Sequence, residues 1–300
     1  MTKNQIIRKV FKTAFVMFFL LTMYTLLNIN QEYSNILRTN LEIEDITNLN
    51  TDKVYLLDSN GYLVKVDVFL DSKTQEEKIK KILEYLTINK NQKPNNLKGY
   101  LKENIKLLDY KIENKNIKLN FSKEFLSLKE ENLVITGIAY SLLELNDIEN
   151  ISFLVENKPL EKYTNITKEI GINNEYFITN TKNINKIVLY YIDNSNNYYV
   201  PITKYLNDKR EKVEIIIDEL KNTKKNLISF INNSVKLLNY REESNVLYLN
   251  FSDELVDKNK EVTEKVLNTI AYSIFDSYEI DTVIFEINNK RLKIIQKSTD

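Results

Sequence analysis

The chain has no cysteine, no histidine and no tryptophan, and its 300 residues include four glycines and three prolines. Without cysteine there is no disulfide framework and no thiolate to act as nucleophile or metal ligand. Without histidine there is no Ser-His-Asp or Cys-His relay and no imidazole site for zinc. Charge of one sign is also missing in excess: Lys plus Arg and Asp plus Glu number 42 each, so the formal net charge is zero. That balance gives no support for a nucleic-acid partner, which would call for a basic face. The absence of cysteine agrees with an exposed envelope protein without establishing one, and the abundant asparagine of the loops is read as bland solvated connection.

Long apolar runs are absent except near the start. Thr13 to Ile29 carries no charge and follows Lys3, Arg8, Lys9 and Lys12. A helix there is long enough to cross a bilayer, with the basic flank held on the cytoplasmic side. The competing reading is a cleaved signal peptide, but Asn28-Ile29-Asn30-Gln31-Glu32 offers no small-x-small cleavage pattern, and there is no cysteine for a lipid. The expectation is a cytoplasmic N-terminus (1–12), a transmembrane helix (13–29), a polar stalk (30–52) and everything beyond outside the cell membrane.

The rest of the chain says one thing twice. Ile117-Lys118-Leu119-Asn120-Phe121-Ser122-Lys123-Glu124-Phe125 returns 130 residues later as Leu247-Tyr248-Leu249-Asn250-Phe251-Ser252-Asp253-Glu254-Leu255. Ile138-Ala139-Tyr140-Ser141-Leu142 returns as Ile270-Ala271-Tyr272-Ser273-Ile274. Tyr55, Asp58 and Tyr62-Leu63-Val64 match Tyr190, Asp193 and Tyr198-Tyr199-Val200, and Asn157-Lys158 matches Asn289-Lys290. A unit of this length is domain-sized rather than a solenoid repeat. Two domains are therefore expected, 53–160 and 186–292, with a linker at 161–185 and a tail at 293–300.

Within the first unit, Lys53 to Asp58 and Tyr62 to Val68 read as strands around a turn, with Gly61 free to take positive φ and Asn194 to Asn197 standing in for it in the second copy. Ile79, Ile82, Leu83 and Leu86 fall on one helical face. A second hairpin turns at Glu113 to Asn116. A second helix runs from about Lys129 to Leu145, and a last strand alternates Ile151, Phe153 and Val155. The fold class is α+β: two similar small domains, each a single, mostly antiparallel sheet with two helices packed on one face.

These features, taken in order and in duplicate, resemble the GerMN family of sporulation and spore germination domains. The resemblance rests on the Tyr hairpin, the Leu-Asn-Phe-Ser/Asp-x-Glu segment, the Ile-Ala-Tyr-Ser helix and the strand closing at Asn157-Lys158-Pro159-Leu160. It implies a module similar to ring-building domains, assembling or stabilising an envelope complex outside the membrane, with no catalytic residues. This chain departs from tandem members that look like lipoproteins, since it lacks the lipid-bearing cysteine.

The candidate chemistry is sparse. Ser122 with Glu124, and Ser252 with Glu254, could form a polar site, but a serine ahead of a helical turn more simply caps it. Asp58 and Asp193 are repeated carboxylates beside aromatics, yet glycoside hydrolysis needs two acids flanking one substrate and each domain repeats one. The turn reading is preferred. Tyr140 and Tyr272 sit at matching helix positions, where the ring packs inward and the hydroxyl lies at the edge. Tyr190-Tyr191 and Tyr198-Tyr199 make an aromatic hairpin in which alternation should turn one tyrosine of each pair outward, so all four are candidate interface residues. The function expected is a non-enzymatic, membrane-anchored envelope protein that binds other envelope proteins or itself, without cofactor or metal. The alternative is a module binding wall polysaccharide or a small ligand through the tyrosines, and a carboxylate hydrolase comes last.

Overall fold

The computed structural model describes residues 51–174 and 185–297, apart from 196, 223, 258 and 260, together with Met17. The chain divides into two units, Met1–Thr51 and Asp52–Asp300. Apart from Met17, Thr51 and Asp52, the last of which begins a strand, the expected transmembrane helix and stalk lie outside the described residues, among which no helix is long and apolar enough to cross a membrane. The two repeats share the second unit.

In the first repeat β1 (Asp52–Leu57) pairs antiparallel with β2 (Leu63–Val68). Helix α1 (Gln75–Leu86) starts where the Thr74 side chain accepts the Glu77 N–H, which satisfies one of the orphan donors of the first turn. Ile79, Ile82, Leu83 and Leu86 form its buried face, as their spacing requires. β3 (Leu107–Glu113) pairs antiparallel with β4 (Asn116–Phe121). Helix α2 (Glu131–Leu142) then carries the chain across to β5 (Asn150–Val155), which lies parallel to β4, and β6 (Lys158–Pro159) closes the sheet. The second repeat has the same order with one short strand more, β9, which pairs with β7: β7 (Asn185–Asp193), β8 (Tyr199–Leu206), α3 (Lys212–Leu220), β9 (Leu227–Ile228), β10 (Leu237–Glu243), β11 (Val246–Phe251), α4 (Glu264–Phe275), β12 (Thr282–Ile287) and β13 (Lys290–Gln296).

Three expectations are corrected. Each repeat has two sheets rather than one, because its opening hairpin does not join the four-stranded sheet β3-β4-β5-β6 or β10-β11-β12-β13. Along most of β1 and β7 a helix takes the place of a further strand, β9 reaching only the end of β7, and Ser141 and Ser273 of the helices, with Ser277 just beyond the second, accept strand N–H groups that a neighbouring strand would have taken. Much of the stretch assigned to a linker is folded. Short 3-10 turns at Glu161–Tyr163 and Lys168–Ile170 bury Tyr163, Ile166, Ile170 and Ile172. Finally, residues 293–296 belong to β13 rather than to a tail, since each pairs with β12.

The asparagine-rich loops have a conformational role. Of the 14 non-glycine residues at positive φ among those described, 11 are asparagine. Consecutive positive φ angles at Asn114-Lys115, Glu156-Asn157, Ser244-Asn245 and Asn288-Asn289 build type I′ hairpin turns, whose twist matches that of the strands. Asparagine tolerates the left-handed region through its short polar side chain, and so takes over where glycine is scarce.

Candidate interaction surface

The repeated Asn-Phe-Ser-x-Glu segment is a structural joint. Asn120 accepts the N–H of Asn157 at 2.9 Å and donates to its side chain at 2.8 Å, and Asn250 does the same to Asn289. Phe121 lies at the centre of the core, 4.5 Å from the Phe125 ring and 6.3 Å from that of Phe153. Ser122 does not cap the 3-10 turn that follows it. Its hydroxyl instead accepts the Lys106 N–H at 3.1 Å, as that of Ser252 accepts the Lys236 N–H. Extending the hairpin ladder in this way leaves the hydroxyl proton for Glu124 and Glu254, whose carboxylates that bond holds below their ordinary range.

Asp58 and Asp193 tie turns. Asp58 accepts the N–H groups of Asn60 and Tyr62, both at 2.8 Å. Asp193 accepts those of Ser195, Asn197 and Tyr198. Burial works against charge on Asp193, but the Ser195 hydroxyl and these three N–H groups keep its carboxyl below the ordinary value.

The tyrosines divide in a way that alternation does not foresee. Tyr190 and Tyr191 are both buried, because β7 is covered on each face: Tyr191 reaches the Glu219 carbonyl at 3.0 Å, while Tyr190 donates to Asp276 at 2.5 Å. Tyr198 and Tyr199 are half-buried. Tyr198 donates to the Asn95 carbonyl of the first repeat at 3.0 Å, and its counterpart Tyr62 donates to the Lys225 carbonyl of the second at 3.1 Å. Asn95 and Lys225 are matching positions in the two repeats, 130 residues apart. Such reciprocity is the mark of a two-fold-related contact, here made within one chain. Asn173 locks the contact by bonding both Leu63 of β2 and Pro201 of β8.

Two acids missed in the sequence complete this interface. Tyr55 donates to Glu144 at 3.2 Å and Tyr190 to Asp276, and each tyrosine lies within electrostatic reach of both acids. Burial, with these acids next, lifts both tyrosines well above their usual pKa. The signal was present, since each acid follows Tyr140 or Tyr272 by four residues. Tyr140 and Tyr272 set their rings edge-on against Tyr55 and Tyr190, at 5.3 and 5.6 Å.

The outer surface offers two further features. In both β3 and β10 the register slips by one residue, between Leu107 and Asp109 and between Leu237 and Asn239. The extra residues, Leu108 and Leu238, are 50% and 48% exposed. A groove of about 600 Å³ opens beside α2 in the first repeat, with Tyr62, Leu63, Asn132 and Thr136 among its walls. Among the described residues no three acidic groups gather as a metal site would require.

A family profile described as Germane, Sporulation and spore germination, matches residues 53–161 and 188–293. The chain belongs to this family. Over 271 residues it is 23% identical to Spore germination protein GerM of Bacillus subtilis (strain 168), a match covering 82% of this chain and 73% of that one. The solved tandem GerMN domains of the sporulation protein GerM from Bacillus subtilis superpose with a TM-score of 0.69 at 23% identity, covering 80% of this chain and 91% of theirs. That likeness carries the two-domain α+β fold, and the Germane segments coincide with the two repeats described above.

Proposed function

We propose that this Germane-family chain is a non-enzymatic envelope protein that assembles or stabilises an extracytoplasmic protein complex in spore formation or germination. In this reading the apolar run Thr13 to Ile29 holds it at the membrane. Kinship with a protein named for spore germination supports the setting. The observation that carries the assembly role is the pair Leu108 and Leu238, exposed at the same bulge of the same edge strand in both repeats. A bulge re-aims a side chain, and two equivalent apolar contacts on one compact unit make it bivalent towards protein partners. The carboxylates and tyrosines once eligible for chemistry are occupied in turns and in the interface between repeats.

The test is crosslinking of the full chain in sporulating cells, with Leu108→Asp and Leu238→Asp against the parent. Loss of a crosslinked envelope partner in the double variant, with its retention in Asp58→Asn and Asp193→Asn, is the expected result. A chain that crosslinks to no protein in either form contradicts the proposal.

A further inference from the structure

The contact between the repeats has two equivalent flanks, and the chain covers one of them with its own segment 168–173. On that flank Tyr140 donates to the Lys168 carbonyl at 2.9 Å and Tyr205 to the Glu169 carbonyl at 2.7 Å. Ile172 pairs with the outer edge of β8: the Thr203 N–H donates to the Ile172 carbonyl at 2.9 Å, and the Thr203 hydroxyl accepts the Ile172 N–H at 2.8 Å. Lys168 reaches Glu144 at 2.6 Å, and Ile170 and Ile172 are buried. Backbone, charge and apolar side chains of the segment are all met.

The same places on the other flank are held by Tyr272 for Tyr140, Asp276 for Glu144, Asp67 for Thr203 and Phe69 for Tyr205. These residues are left uncovered. Phe69 is 63% exposed and Asp67 is exposed, whereas Thr203 is 2% exposed. Leu63, Lys65 and Asp67 alternate with the residues of β2 that bond to β1, so the Asp67 N–H points away from that strand, and no hydrogen bond meets it among the described residues. Asp276 accepts the Tyr190 hydroxyl, but no cation pairs with it among the described residues, where Glu144 has both Lys65 and Lys168.

The covered flank states what the open one would take. A strand edge with an unused N–H accepts an added strand. The Asp67 carboxylate stands where the Thr203 hydroxyl receives an N–H, and Asp276 stands where Glu144 receives a lysine. Phe69, without the hydroxyl of Tyr205, offers an apolar face instead.

We propose that this flank docks an extended segment of a partner protein in which a basic residue is followed at the second and fourth places by aliphatic ones, the pattern of Lys168-Glu169-Ile170-Gly171-Ile172. The surface uses neither Leu108 nor Leu238, so this contact and the bulge contact stand or fall separately.

The test is fluorescence anisotropy of a labelled peptide copying residues 167–173, titrated with the full chain in detergent. Saturable binding with a Kd below about 1 mM is expected. Lys168→Glu in the peptide should weaken it at least about fivefold, and Asp276→Lys in the protein should weaken the parent peptide and restore the glutamate one. Phe69→Ser, at an exposed position outside the Tyr190 bond, should weaken the parent peptide at least about threefold and decides the question should Asp276→Lys unfold. No saturation in this range, equal affinity for the lysine and glutamate peptides, or binding unchanged by Phe69→Ser overturns the assignment.

Discussion

The hydroxyl of Ser141 accepts the backbone N–H of Tyr55 at 2.9 Å and donates to the carbonyl of Gly137 at 2.8 Å, one turn back in its own helix. Ser273 makes the same two bonds, to Tyr190 at 2.8 Å and to Thr269 at 2.6 Å. One oxygen thus splices a helix to the bare edge of a strand. This is the physical content of the repeated Tyr-Ser dipeptide.

Ser141→Ala should leave the Tyr55 N–H buried without an acceptor and destabilise the chain by about 1–3 kcal/mol. Urea unfolding at neutral pH should show a lower midpoint with an unchanged slope. Ser273→Ala should cost a similar amount, and an effect within error for either would refute the splice.

Glu144 supplies a dependence on pH. Burial penalises its charge, but Lys65 at 2.8 Å and Lys168 at 2.6 Å outweigh that and hold the carboxyl down to about 2. Since the folded value lies below the unfolded one, the stabilisation is full above the ordinary glutamate pKa and drains away as pH falls towards 2. The loss expected from this group is about 1–3 kcal/mol. Glu144→Gln should be less stable than the parent at pH 7, and the gap should close by pH 2. Thermal melts at stepped pH read this directly.

Gly137 is set by a neighbour rather than by its own backbone. A Cβ built there would lie 2.3 Å from the hydroxyl of Tyr100, whose ring packs over the glycine. In the second repeat the equivalents are Thr269, buried, and Phe230, 40% exposed. Side chain and ring have exchanged the same space. Gly137→Ala should cost about 1–3 kcal/mol through overpacking, and much less in a Tyr100→Ala background. Additive costs in the double-mutant cycle would show that the two positions do not compete.

Lys115 occupies the left-handed region at φ 61, in a type I′ turn where glycine is preferred. Its ion pair with Glu149, between exposed groups, adds little. Lys115→Gly should therefore stabilise the chain by about 0.5–1 kcal/mol, seen as a higher melting temperature. A lower one would show that the ion pair outweighs the backbone strain.

The helices and hairpins were legible because their signals are local. The face of α1 follows from four apolar residues at helical spacing, and the hairpins from apolar runs separated by short polar turns. The duplication was legible because Asn-Phe-Ser-x-Glu and Ile-Ala-Tyr-Ser recur in register. The role of that serine was not, since a bond from Ser122 to Lys106 spans 16 residues, and propensity speaks only for the nearest turn. The four candidate tyrosines show the same limit: alternation assigns two faces to a strand but does not say that both will be covered.

By itself the sequence determined that this protein is a tandem of like α+β units without thiol or imidazole chemistry, because composition and local periodicity need no partner to be read. Only the tertiary structure decided that Tyr62 and Tyr198 face each other's repeats and that Asn173 joins β2 to β8. Each of those depends on which distant surfaces meet, and that is fixed by the combined packing of both copies.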